Sequence, residues 1–253
     1  YALLMLSLGH AAETLDLTAA DGTNLTALTE QSEGAKKGVV LVHMANRHAG
    51  DWRFFAEKLA RNQFLVIAPN LRGHGDGEDI ERPSAEDYPQ MVEDVRAAVV
   101  WLREQGATEI SCAGAQIGAN LCLQVAGEDP EIVNLALLSP GLNHKGVTIS
   151  SAVKNYGNRP MLVVASSEDV YATRTAVYLE EHTVGQTHVE MLEGAGTGTK
   201  MLNRDPNLSG TVLSWLLGSF QLSSGDIVLP TPKMDETHES VETRGKKLGA
   251  HQR

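Results

Sequence analysis

Cysteine is nearly absent from this chain: Cys112 and Cys122 are the two present in 253 residues. So few thiols exclude a small disulfide-built scaffold, where bridges stand in for a core. By position one cysteine falls in a strand and the other in the helix that follows, and the pair is expected to stay unbridged. Basic residues are also short, with 21 Lys and Arg against 32 Asp and Glu and a formal net charge of −11. A surface that acidic lacks the cationic footprint needed for nucleic acid or an anionic bilayer, so neither is an expected partner. Past the first dozen residues no segment approaches the ~20 apolar residues of a membrane-spanning helix. No internal repeat is found.

An initial methionine is missing too. Residues 2–12 form an apolar run through Gly9-His10-Ala11, a small-residue ending that suits signal-peptidase cleavage. Residues 1–12 are therefore expected to be the remainder of a secretory signal that has lost its basic region, and the protein to be periplasmic or secreted in a bacterium. The alternative for this segment is a short apolar element docked on the domain. No cysteine follows the run, so a lipoprotein anchor is not expected.

What is present is an ordinary hydrophobic fraction, 42%, distributed with α/β periodicity. Two leading strands, near residues 13–17 and 25–29, flank the Asp21-Gly22 turn signal and are expected to pair antiparallel. Near-continuous apolar runs follow at 38–42, 64–68, 110–113, 133–138, 161–165 and 188–192, the pattern of strands buried on both faces. Helices are expected between them. One spans 51–62 with Asp51 as N-cap, and another spans 85–105, capped by Ser84 and ended by Gly106. Three more follow the Gly114 to Gly118 turn, cover 172–181 and cover 210–217. This order predicts an α/β fold with a mostly parallel sheet, an antiparallel N-terminal start and helices on both faces. The single domain is expected over 13–220. About twenty residues separate the strands at 133–138 and 161–165, too few for a large cap domain. Residues 221–253 turn polar and charged, and are expected to be a solvated C-terminal tail.

Five short motifs lie at the ends of those strands in a meaningful order. The strand Glu109-Ile110-Ser111-Cys112-Ala113 runs into Gly114-Ala115-Gln116-Ile117-Gly118 and then into a helix-like segment. This resembles the strand, nucleophile elbow and helix of α/β-hydrolases, in particular small dienelactone-hydrolase-like bacterial esterases. In that pattern GxSxG glycines allow a tight turn that exposes the nucleophile. Here the glycines are kept and Gln116 stands at the serine position. Val40 to Met44 resembles the strand and loop that supply an oxyanion donor, which would be the Met44 backbone N–H beside that of Ile117. Leu71-Arg72-Gly73-His74-Gly75 resembles the loop after the next strand. Residues 165–172 resemble the loop carrying the triad acid, by position Asp169, with Glu168 a solvated neighbour. Gly194-Ala195-Gly196-Thr197-Gly198-Thr199 resembles the segment bearing the triad histidine, and position 197 is threonine.

Acyl transfer needs a nucleophile that can lose a proton and a base to take it. A glutamine amide and a threonine hydroxyl supply neither near neutral pH. The resemblance therefore implies a catalytically inactive relative, a pseudo-esterase of the bacterial envelope acting as a ligand-binding or protein-interaction module. Its catalytic positions, Gln116, Asp169 and Thr197, are degenerate, and its binding groups are Met44, Gln116, Ile117, Asp169 and Thr197. The alternative is an active ester or lactone hydrolase with a substitute nucleophile, for which Ser139, Ser166 and His43 sit at strand ends; the simpler reading of these three is loop and strand-end residues hydrogen-bonded locally. A metal site from His43, His48, His74 and Asp76 is also conceivable, but their spacing fits no compact metal motif. No metal and no cofactor are expected. The expected partner is a small-molecule ligand or an envelope protein.

Overall fold

The computed structural model describes residues 12–75 and 82–221. The signal-like segment apart from Ala12, Asp76 and all of the tail except Gln221 lie outside the described residues. Strands β1 (Glu13–Thr18) and β2 (Asn24–Glu30) form the antiparallel start, with Thr18 opposite Asn24. The turn between them closes where Gly22, at φ 87°, donates to the Ala19 carbonyl. The other sheet strands are β3 (Lys37–Val42), β4 (Phe64–Pro69), β5 (Glu109–Ala115), β6 (Ile132–Leu138), β9 (Met161–Ser166) and β10 (Thr187–Leu192). They assemble in the order β1-β2-β4-β3-β5-β6-β9-β10. Every pairing from β4 onward is parallel, as the apolar runs predicted.

Alternation along each strand feeds two cores. Val40 and Val42 pack with residues of α2 (Asp87–Glu104), α3 (Ile117–Glu128), α4 (Ser150–Tyr156) and α5 (Val170–His182) on one face. Val39 and Leu41 pack on the other face with α1 (Arg53–Ala60), α6 (Met201–Arg204) and α7 (Leu208–Leu217). A strand buried on both sides has no polar face, hence the unbroken apolar runs. Between β6 and β9 the chain forms only a two-residue hairpin, β7 (Asn143–His144) with β8 (Val147–Thr148), followed by α4. Among the described residues no large cap covers that edge.

Four local expectations are corrected. The helix expected at 51–62 begins as a 3-10 turn at Ala49–Trp52 capped by the His48 side chain, which accepts from Gly50 N–H. Asp51 caps nothing there, because its carboxylate is held by Arg47 and Thr199. At the second helix the capping roles are reversed, since Asp87 Oδ2 accepts from both the backbone N–H and the hydroxyl of Ser84. Cys112 and Cys122 are joined in a disulfide, with Cα atoms 5.6 Å apart. Their separation of ten residues carries the chain out of β5, round a tight turn and back along α3, which returns the second thiol to the first.

Candidate functional site

The turn between β5 and α3 is where the sheet presents a side chain. Gln116 occupies it at φ 50°, ψ −114°, a conformation that side-chain-bearing residues rarely adopt and that persists only where its surroundings enforce it. The enforcement is visible on both sides. A Cβ on Gly114 would overlap the Gly118 carbonyl, and one on Gly118 would overlap the Val42 carbonyl. Only glycine lets strand, turn and helix close this tightly against β3. Gln116 N–H is tied to the Leu138 carbonyl at 2.8 Å, which fixes the turn to β6.

The predicted site residues Gln116, Thr197 and Asp169, from three separate loops, meet in one hydrogen-bonded chain. Gln116 Nε2 donates to Thr197 Oγ1 at 2.9 Å, and Thr197 Oγ1 donates to Asp169 Oδ2 at 2.7 Å. The hydroxyl has one proton and spends it on the carboxylate, so its oxygen must accept from the glutamine. That fixes the amide with its NH₂ toward Thr197 and leaves its carbonyl oxygen for other contacts. Asp169 is doubly used: Oδ1 accepts from Ala172 N–H at 3.0 Å, capping α5. Helix α5 therefore starts at Val170, two residues earlier than the sequence suggested.

Ile117 is the first residue of α3, so its N–H lies at the end of the helix where backbone donors have no partner within the helix. Met44 follows β3 by two residues and is buried, with its sulfur against Gly198. All five predicted binding residues thus lie at the carboxyl ends of the parallel strands or in the loops beyond them.

Glu168 is exposed, as expected of a solvated neighbour, and it also has structural partners. Its carboxylate accepts from Ser166 Oγ at 2.5 Å, Gly194 N–H at 3.0 Å and Gly196 N–H at 2.6 Å, and so shapes the loop that delivers Thr197. The Ser166 hydroxyl and then the Gly196 N–H hold its pKa down to about 2.

The proposed substitute groups have other employment. Ser166 is fully buried and accepts from Ala195 N–H at 3.1 Å while donating to Glu168. Ser139, also buried and at φ 51°, accepts from Gly198 N–H at 2.9 Å. His43 places Nδ1 2.9 Å from the Met44 carbonyl and Nε2 3.0 Å from Leu71 N–H, so Nδ1 carries the proton. Burial lowers its pKa to about 3. His74 sets Nδ1 3.0 Å from the Arg72 carbonyl, and His48 caps the 3-10 turn. Among the described residues no group of three or more His, Cys, Asp or Glu is placed to hold a metal ion.

Two residues went unread in the sequence. Asn120, wholly buried on α3, donates to the Gly141 and Val147 carbonyls at 2.7 and 2.8 Å and accepts from Gly141 N–H at 3.1 Å. It ties the loop after β6 to the elbow helix. The signal was an amide within the apolar first half of the helix. Thr199, whose hydroxyl donates to Asp51 Oδ2 at 2.9 Å, carried no such signal.

Residues 33–156 match the family described as serine aminopeptidase, S33, a span that includes Met44 and Gln116 and ends before Asp169 and Thr197. A thermostable monoacylglycerol lipase of Bacillus sp. is 30% identical over 113 residues, 44% of this chain and 44% of the lipase. Less than half of that relative's length is thus covered. Among solved structures, an esterase of Pyrococcus furiosus superposes with a TM-score of 0.68 at 14% identity, covering 86% of this chain and 94% of that one. A dienelactone hydrolase of Anabaena variabilis gives 0.66 at 14% identity, covering 84% of this chain and 100% of its own. With the strand order, these establish the α/β-hydrolase fold for this chain.

Proposed function

We propose that this α/β-hydrolase-fold chain binds a carbonyl or carboxylate compound in its elbow pocket without cleaving it, as a ligand-binding or protein-interaction module of the bacterial envelope. The observation that carries the reading is the chain Gln116, Thr197, Asp169. Its three members hold the places of nucleophile, base and acid in the hydrolase pattern, yet the first has no ionisable proton and the second is no base near neutral pH. Loss of a single triad member already costs factors of roughly 10⁴ to 10⁶ in a serine hydrolase. What such a pocket retains is recognition. The backbone N–H groups of Ile117 and Met44 suit a ligand oxygen, and the Gln116 amide adds a further donor and acceptor. Export to an oxidising compartment is part of the reading, and the bridge between Cys112 and Cys122 supports it.

The relatives favour a second reading, an active ester or lactone hydrolase with a nucleophile other than Gln116. The matched family is described as a serine aminopeptidase and the curated relative as a lipase. The obstacle is that Ser139 and Ser166 are buried and committed to loop contacts.

A fluorophosphonate probe separates the two, because it reacts only with an activated nucleophile. Incubation followed by mass spectrometry of the intact chain is expected to give no adduct. A stoichiometric adduct would overturn the non-catalytic reading, and the modified peptide would name the nucleophile.

A further inference from the structure

A cleft of about 280 Å³ lies between the first turns of α1 and the segment from Thr199 to Ser209, and neither Gln116, Asp169 nor Thr197 lines it. Its volume is near the lower end for small-molecule sites. Its charge runs against the rest of the molecule. The chain carries −11 overall, whereas the cleft is lined by Arg47, Lys58 and Lys200 against one carboxylate, Asp51. Asp51 already holds the Arg47 guanidinium and accepts from Thr199, so it does not answer the two lysines. Lys58 Nζ donates to Ser209 Oγ at 2.9 Å, which uses one of its three protons and pins the ammonium in place. Beside these cations the lining mixes polar residues, Thr199, Asn203 and Ser209 among them, with an apolar portion. Phe55 and Leu202 contribute to the wall, and Phe54 stands 80% exposed on the helix.

We propose that this cleft is a second binding site, for a small amphipathic organic anion, with its acidic group between Lys58 and Lys200 and its apolar body against Phe54, Phe55 and Leu202. Two ammonium groups with no carboxylate partner among the described residues select an anion, and the exposed Phe54 ring beside Phe55 and Leu202 selects a hydrocarbon or aromatic body. The site does not depend on the reading of the elbow pocket. It shares one loop with it, in which Thr197 turns to Asp169 and Thr199 turns to Asp51.

Titration of the full chain with octanoate, and with 1-octanol as the uncharged counterpart, tests the assignment by calorimetry and amide chemical shifts. Octanoate is expected to bind about tenfold or more tighter than octanol, with shifts at Phe54, Lys58 and Lys200. Lys58→Met and Lys200→Met should each weaken octanoate about three- to fivefold and leave octanol unchanged. Phe54→Ala, at an exposed position that carries no fold risk, should weaken both ligands. Equal affinity for the two ligands, no octanoate binding, or lysine variants that bind like the natural chain would overturn the proposal. So would shifts confined to Ile117, Asp169 and Thr197, which would place the anion in the elbow pocket instead.

Discussion

His43 sets the pH response at the scale of single residues. Burial lowers its imidazole from the ordinary 6.5 to about 3, so the folded chain keeps it neutral while the unfolded chain takes up a proton. The folded-state value lies below the unfolded one. Its contribution is therefore complete above about pH 6.5 and is lost as the pH falls toward 3, at about 1.4 kcal/mol per pH unit. His74 and His144 are lowered by burial as well and act in the same direction. Glu168, held down to about 2 from 4.5, adds a loss that starts only below its unfolded value. Urea midpoints measured between pH 7.5 and 5 should fall with acidification, and His43→Gln, which can still donate and accept, should flatten that slope. An unchanged slope would show that His43 is not the neutral buried group described.

Sequence reading succeeded at this scale where chemistry narrows the choice to a few residue types. Gln116, Thr197 and Asp169 were located from the resemblance to α/β-hydrolase motifs at strand ends, and in the structure Thr197 is hydrogen-bonded to both of the others. For Glu168, Ser139 and Ser166 it gave the solvated or hydrogen-bonded structural character but not the partners. Their roles are set by backbone N–H groups of a loop distant in sequence, and nothing local announces such partners.

Among the elements, β5 and α3 form the unit on which the site stands, and two devices hold it. The glycines at 114 and 118 permit the approach, and the disulfide fastens the strand to the helix just behind Gln116. The bridge was missed because strand and helix were treated as separate addresses, although a tight turn folds one back on the other. Closing a loop of this length is worth roughly 2–3 kcal/mol through the unfolded chain. Reduction with a phosphine, or Cys112→Ala with Cys122→Ala, should lower the thermal midpoint by roughly 4–10 °C for a domain this large. Thiol titration of the oxidised, denatured chain should find no free thiol. Two titratable thiols and an unmoved midpoint would remove the bridge from the account.

For the whole molecule, the strand runs specified nearly all of the sheet, because a strand covered on both faces must be apolar throughout and so advertises itself. The small hairpin and α4 between β6 and β9 were not foreseen, since two-residue strands have no periodicity to read. The resulting architecture is the α/β-hydrolase fold, which hosts many functions, and on the proposed reading Gln116 and Thr197 at its elbow do not form an acyl intermediate.

Hydrolysis of p-nitrophenyl acetate by the purified chain decides between architecture and corner. It should be run beside Gln116→Ala and beside the double substitution Gln116→Ser with Thr197→His. The natural chain is expected to match Gln116→Ala and the buffer rate, with activity emerging only in the double variant. Turnover by the natural chain that survives in Gln116→Ala would contradict the account and reveal a working nucleophile elsewhere in the pocket.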